Sequence, residues 1–253
     1  MSTRYALEAV ALAVSFGGVR AVDDVTLRVA RGARHALIGP NGAGKTTVLN
    51  LLSGVLRPDR GRILLDGDDV TAVAPHRRVA RGLVRTFQIN QLFAELSPLE
   101  SLGLAVSEAV GRGGDWWRTA GTVPSIDAKI GSILERFHLA DVMHEKTVRL
   151  PYGKQRLLEI ALAIACQPRV LLLDEPAAGV PEDERHEILT AVASLPDDVT
   201  VLFIEHDMDL VFSFAQRISV LVNGALFMEG EPDEVARDPR VRAVYLGEEA
   251  DVG

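Results

Sequence analysis

Gly39-Pro40-Asn41-Gly42-Ala43-Gly44-Lys45-Thr46 decides how the chain is read. It fits G-x-x-x-x-G-K-[ST] at every fixed position. The short apolar run Arg34–Ile38 precedes it. Val48, Leu51, Leu52 and Val55 follow at the spacing of one helix face. The pattern predicts a strand, a glycine loop and a helix, in that order. Glycines let the backbone bend around an anion with its N–H groups pointing inward, and the helix N-terminus adds partial positive charge. Lys45 is placed to reach the β- and γ-phosphates of a nucleotide, and Thr46 to offer a hydroxyl to Mg²⁺.

Two further runs carry chemistry of the same kind. Val170–Leu173 is fully apolar, reads as a buried strand and ends in Asp174-Glu175. Carboxylates at the carboxyl end of such a strand stand where α/β sheets bind ligands. Asp174 is then a candidate to hold Mg²⁺, through water, and Glu175 to orient or deprotonate an attacking water. Val199–Ile204 is a second buried-type strand, followed by Glu205-His206-Asp207. His206 either touches a γ-phosphate or caps the next helix. No pair of histidines has metal-ligand spacing with the single cysteine, Cys166, so no zinc site is expected. Cys166 sits in an apolar run and reads as a core thiol of a protein from a reducing compartment.

Composition narrows the function classes. The chain of 253 residues is long enough for one large domain or two small ones. It has 27 Lys+Arg against 35 Asp+Glu, a net charge of −8, which argues against a general nucleic-acid binder. There is no uncharged apolar run of transmembrane length. Glu8 interrupts the apolar N-terminal stretch, so no signal peptide is expected.

Periodicity sets the organisation. Residues 5–14 and Val25–Val29 read as strands, as does Arg62–Leu65 after the turn Pro58-Asp59-Arg60-Gly61. From about residue 90 to 160 the pattern is mainly helical, with Ser97-Pro98-Leu99-Glu100 as an N-cap and Gly111–Trp117 as a loop. Trp116-Trp117 packs on this helical part or meets a membrane interface. Then α/β alternation returns: helices over Gln155–Cys166, Asp183–Leu195 and Met208–Arg217, and strands Ile218–Val222 and Leu226–Glu229 about an Asn223-Gly224 hairpin turn.

With these parts in this order, the chain resembles an ABC transporter ATP-binding subunit over nearly its whole length. The resemblance implies an α/β fold: a P-loop NTPase (ABC ATPase) core with a mixed sheet, an antiparallel β subdomain and an inserted α-helical subdomain. It implies a single ABC domain over 5–247, with a nucleotide-binding core at 5–87 and 161–230, a helical subdomain at about 88–160 and a tail at 231–253. Phe16 matches the aromatic that stacks on adenine. Gly39, Pro40, Asn41, Gly42, Ala43, Gly44, Lys45, Thr46 and Thr47 match the Walker A loop. Gln88, in RTFQ, matches the glutamine that meets Mg²⁺ and water near the transmembrane partner. Asp174 and Glu175 match Walker B and the catalytic glutamate, Ala177–Val180 the D-loop, and His206 the switch histidine. Catalytic roles are thus implied for Glu175, His206, Lys45 and Gln88, and Mg²⁺ contacts for Thr46, Gln88 and Asp174.

Pro151, Tyr152, Gly153, Lys154 and Gln155 match the signature loop, which meets the opposite subunit's ATP. They depart from the family's usual LSGGQ: Pro151 replaces serine, Tyr152 a glycine and Lys154 a glutamine. Lys154 either contacts phosphate or is simply solvated. Pro181 stands where the D-loop commonly has aspartate or asparagine. The tyrosine, together with LLEIALAI, DEPAAG and the tail EGEPDEVARDPRVRAVYLGEE, is similar to the branched-chain (hydrophobic) amino acid uptake subgroup. That subgroup's cargo extends to related amides and carboxylates. The resemblance implies an ATP- and Mg²⁺-dependent importer subunit, peripheral on the inner face of the plasma membrane. Its implied partners are transmembrane permease subunits, a second ATPase subunit and, indirectly, a substrate-binding protein. A soluble ABC ATPase acting without a permease, and an exporter ATPase, are the alternatives.

Overall fold

A computed structural model describes residues 4–86, 92–109 and 124–246. Gln88, Trp116, Trp117 and the acidic residues Glu248, Glu249 and Asp251 lie outside the described residues. In chain order the elements are β1 (Tyr5–Phe16), β2 (Val19–Ala30), β3 (Arg34–Ile38), α1 (Lys45–Ser53), β4 (Arg60–Leu65), β5 (Asp68–Asp69), α2 (Pro75–Ala80), β6 (Leu83–Arg85), α3 (Pro98–Ala109) and α4 (Pro124–Arg136). They continue with α5 (Tyr152–Ala165), β7 (Val170–Asp174), α6 (Glu182–Ala193), β8 (Thr200–Ile204), α7 (Met208–Phe214), β9 (Arg217–Val222), β10 (Ala225–Gly230), α8 (Pro232–Arg237) and α9 (Pro239–Leu246). The chain divides into two compact units. The first holds residues up to Arg78, Leu172–Glu175 and residues from Asp197 on; the second holds Val79–Leu171 and Pro176–Pro196.

The first unit contains an antiparallel sheet in the order β2-β1-β4-β5. Its second sheet runs β10-β9-β3-β8 and on to the Leu172–Asp174 part of β7. β3 pairs in parallel with both β8 and β9, and β9 pairs antiparallel with β10, so this sheet is mixed. Every residue of β3 and of β8 is buried: β8 is apolar after Thr200, whereas β3 buries Arg34 and His35 ahead of Ala36–Ile38. The hairpin turn falls at Asn223-Gly224 as expected, with φ of 49° and 78°, the backbone that this residue pair tolerates.

In the second unit α3 packs on α4 and α5, and α5 on α6. The start of α3 follows the sequence closely. Pro98 is the first helical residue; Ser97 N donates to Glu100 Oε2 (2.8 Å) and Glu100 N to Ser97 Oγ (3.3 Å), a reciprocal cap. β6 lies beside the beginning of β7, where Gly82 O accepts from Arg169 N and Val170 N.

Three boundaries differ from the periodicity. The helix expected over Met208–Arg217 stops at Phe214, because Ala215 turns extended and Gln216 N donates to Arg34 O, carrying Arg217 into β9. The helix expected from Gln155 already begins at Tyr152, with Pro151 as its N-cap residue. Cys166, expected in the core, is only half-buried at the end of α5. Among the described residues no helix is long and apolar enough to cross a membrane.

Candidate nucleotide site

In the first unit β3 runs through Gly39–Gly44 into α1. Two glycines here have no substitute. A Cβ on Gly39 would lie 2.1 Å from Leu221 O, and one on Gly44 would lie 2.4 Å from Ala21 O, where φ is also +100°. The loop is thus pressed against the β9 end and the β2 backbone and keeps only a backbone surface. Lys45 opens α1 and is buried. Its Nζ donates to Gly39 O (2.6 Å) and Pro40 O (3.0 Å). Burial holds its pKa below the usual lysine value, and the neighbouring charges of Glu175 and Asp174 oppose that shift. One ammonium, the loop carbonyls and two carboxylates therefore share a site. Thr46 is exposed on the first turn of α1, and Phe16 is half-exposed at the end of β1.

Asp174 closes β7. Glu175 follows with φ +48°, a left-handed backbone that a non-glycine residue adopts at a cost and that is concentrated at functional sites. Its N–H donates to Ile204 O (3.0 Å), which fixes it at the end of β8. From there the next strand-end residues return the contact: His206 Nε2 lies 2.6 Å from Glu175 Oε1. His206 does not cap α7. Asp207 does, its Oδ1 accepting from Asp209 N and Leu210 N. Lys45, Asp174, Glu175 and His206 are thereby brought together from three separate stretches of sequence.

The remaining matched residues lie in the second unit, apart from Gln88. Pro151 provides no side-chain cap to α5. Tyr152 O–H donates to Ala178 O (3.3 Å), and Gln155 Nε2 donates to Leu150 O (2.8 Å). Lys154 Nζ donates to His138 O (2.6 Å) and stands 3.8 Å from Asp141 and 3.9 Å from Glu187. Its charge is therefore engaged within its own unit, between the two readings that the sequence left open. Pro181 is the N-cap residue of α6.

Sequence reasoning missed Arg78. It is fully buried and donates from Nε to Val73 O (2.9 Å), from Nη1 to Leu51 O (2.9 Å) and Leu52 O (2.5 Å), and from Nη2 to Thr71 O (2.9 Å). Two of these carbonyls belong to the last turn of α1, the helix that opens at Lys45. Nothing local distinguishes Arg78 from the exposed Arg77 beside it.

A glycine loop on a helix start, paired with strand-end carboxylates and a histidine, in a core with an added antiparallel sheet and a helical unit, defines an ATP-binding-cassette ATPase. A family model described as "ABC transporter" matches residues 22–178, and one described as "Branched-chain amino acid ATP-binding cassette transporter" matches residues 227–251. The chain belongs to the ABC transporter family, as an ATP-binding, ATP-hydrolysing subunit. It is similar to the high-affinity branched-chain amino acid transport ATP-binding protein BraF of Pseudomonas aeruginosa, 38% identical, with 97% of this chain and 99% of the relative covered. LivG of Escherichia coli, a protein of the same description, is also 38% identical, over 94% of this chain and 96% of its own. Among solved structures, a nucleotide-free ATP-binding cassette of an ABC transporter superposes with TM-score 0.83 at 30% identity, covering 96% of this chain and all (100%) of its own. The ADP conformation of such a cassette gives 0.82 at 32% identity, over 97% and 100%.

Proposed function

We propose that the chain hydrolyses ATP to drive an importer for branched-chain amino acids or closely related small amides and carboxylates. The observation that carries the hydrolytic part is the 2.6 Å contact of His206 with Glu175, in the same unit as Lys45. Gly39–Thr47 bind the phosphates, with Phe16 beside the adenine. Lys45 neutralises charge on the β- and γ-phosphates. Glu175 accepts at Oε1 from His206, which leaves Oε2 to orient water for in-line attack on the γ-phosphorus. His206 also meets the departing phosphoryl group. The oxygen donors of Thr46 and Asp174 suit Mg²⁺, with Gln88 as a further ligand outside the described residues. When bound, the ion offsets charge on the phosphate oxygens.

One glycine loop and one signature segment per chain support a working unit of two ATPase subunits. The N–H groups at the start of α5, with Pro151–Gln155, meet the partner subunit's nucleotide. The unit docks on transmembrane permease subunits at the inner face of the plasma membrane, and a substrate-binding protein delivers the cargo. The domain plan proposed on sequence, a core at 5–87 and 161–230 with a helical subdomain at about 88–160, serves that division of labour. The names of the relatives and the match at residues 227–251 support the cargo.

The test is purification of the tagged chain from its native membranes, followed by reconstitution in liposomes. A permease and a second ATPase subunit are expected to co-purify, and leucine with its binding protein to stimulate ATP hydrolysis. Recovery in the soluble fraction alone overturns the transport reading. Stimulation by a different solute overturns only the cargo.

A further inference from the structure

A cavity of about 400 Å³ lies within the first unit, at the start of β3 rather than at the glycine-loop end. Strand alternation builds its walls. On β2, Val25, Leu27 and Val29 are buried in the core, so Thr26, Arg28 and Ala30 turn to the other face, and all three line the cavity. A register shift brings β10 to it. Between Leu226 and Met228 that strand carries one residue more than β9, so Leu226 and Glu229, three apart, line the same space. Fully buried His35 closes the inner side.

Three exposed guanidiniums stand at the opening. Arg4 and Arg28 both face the Tyr5 ring, at 5.6 and 5.9 Å from its centroid, so two like charges are gathered on one side chain. Among the described residues Arg4 has no carboxylate partner, and Arg28 has only Glu8, at 3.5 Å. Arg217 gives Nε to Glu229 Oε1 (2.6 Å) and leaves its terminal nitrogens unused. Glu229 is engaged on both oxygens, since Oε2 accepts from Ser219 Oγ (3.0 Å). Thr26 Oγ1 accepts from Ala11 N (3.0 Å) and keeps its own proton to donate. The walls thus offer donors in excess, with three positive charges against the one of Glu229, in a chain of net charge −8. Guanidinium forks match carboxylate oxygens in pairs. Leu226 and Ala30 add an apolar side that suits a carbon chain rather than a bare inorganic ion.

We propose that this cavity is a binding site for a small organic dianion of the dicarboxylate class, separate from the nucleotide loop. Arg4 and Arg28 hold one carboxylate, with the Thr26 hydroxyl as a further donor. The terminal nitrogens of Arg217 meet the other, and the carbon chain lies along Leu226 and Ala30. The site stands independently of the cargo and of the hydrolytic roles of Glu175 and His206.

The experiment is calorimetric titration of succinate into the full chain, saturated with ADP and held at constant ionic strength. Saturable binding with a Kd of about 1 mM or tighter is expected. Arg4→Gln and Arg28→Gln change exposed side chains. Each is expected to weaken succinate binding about tenfold, the loss of one charged hydrogen bond, while ADP affinity stays within about twofold. Absence of saturable binding overturns the proposal. So does undiminished binding in the Arg4→Gln/Arg28→Gln pair. Succinate binding that ADP abolishes assigns the anion to the glycine loop instead. Leucine or inorganic phosphate binding more tightly than succinate overturns the dicarboxylate class.

Discussion

His206 Nε2 and Glu175 Oε1 stand 2.6 Å apart, although 31 residues separate them in sequence. The contact joins the residues that follow β7 and β8 and leaves one carboxylate oxygen for water. Glu175→Gln keeps the shape and the histidine contact but removes the basic oxygen. It is expected to bind ATP as the parent does and to lose about 100-fold or more in kcat. Nucleotide binding by fluorescence and phosphate release by a coupled assay check both halves. Unchanged phosphate release removes Glu175 from the chemistry.

The glycine loop predicts a contrast between two alanine substitutions. At Gly39 a methyl would enter the Leu221 carbonyl at 2.1 Å, while at Gly42 nothing lies within 4 Å and only the backbone, φ +79°, resists. Gly39→Ala must shift the loop or β9 and is expected to abolish measurable ATP binding. Gly42→Ala is expected to cost about 1 kcal/mol in backbone strain. Equal losses of ATP affinity in the two variants would contradict the packing of the loop on Leu221.

What could be read in the sequence was local backbone chemistry. Gly39–Thr46, the acid pair after Val170–Leu173, the cap at Ser97-Glu100 and the Asn223-Gly224 turn each lie within a few residues of their own cause. What escaped was decided at a distance. α7 ends early because Gln216 pairs with Arg34. The hydrogen-bond partner of Tyr152, Ala178 O, is 26 residues away, and Lys154 turns to the His138 carbonyl 16 residues back. His206 shows both sides: its place after a buried strand was visible, but the choice between cap and site depended on Asp207 taking the cap and Glu175 arriving from β7.

His35 predicts an acid sensitivity of the fold. It is fully buried in β3, with Nε2 2.8 Å from Ser219 Oγ. Ser219 donates its own proton to Glu229 Oε2 (3.0 Å), so His35 must donate from Nε2. Burial pushes its pKa down to about 4; the charge of Glu229 opposes that shift and that of Arg217 adds to it. An unfolded histidine titrates near 6.5. Between those values the unfolded chain binds a proton that the folded chain does not, so stability falls as pH falls. The contribution is intact above about pH 6.5 and is lost towards pH 4, up to roughly 3 kcal/mol. Urea midpoints at pH 7.5, 6 and 5 are expected to drop more steeply for the parent than for His35→Gln. Parallel curves would rule the histidine out.

Arg78 predicts where the nucleotide helix is held from behind. Helix α1 presents Lys45 and Thr46 at its N-terminus and ends at Gly54, φ +83°, whose N–H donates to Leu51 O. Arg78 adds to this cap: its guanidinium takes the Leu51 and Leu52 carbonyls together with those of Val73 and Thr71. Removing a buried donor leaves acceptors unpaired, at about 1–3 kcal/mol each, although relaxation and water recover part of that cost. Arg78→Met is therefore expected to destabilise the fold by about 2–4 kcal/mol, since neutral carbonyls rather than a charge are left behind and Leu51 O keeps the Gly54 N–H. Arg78→Lys keeps the charge but cannot reach four carbonyls from one planar fork, so it is expected to recover only part of the loss. The exposed neighbour gives the control: Arg77→Met should stay within about 0.5 kcal/mol of the parent. Chemical denaturation of the three variants decides the matter. If Arg77→Met and Arg78→Met lose equally little, the guanidinium does not hold α1, and the helix end relies on Gly54 and solvent instead.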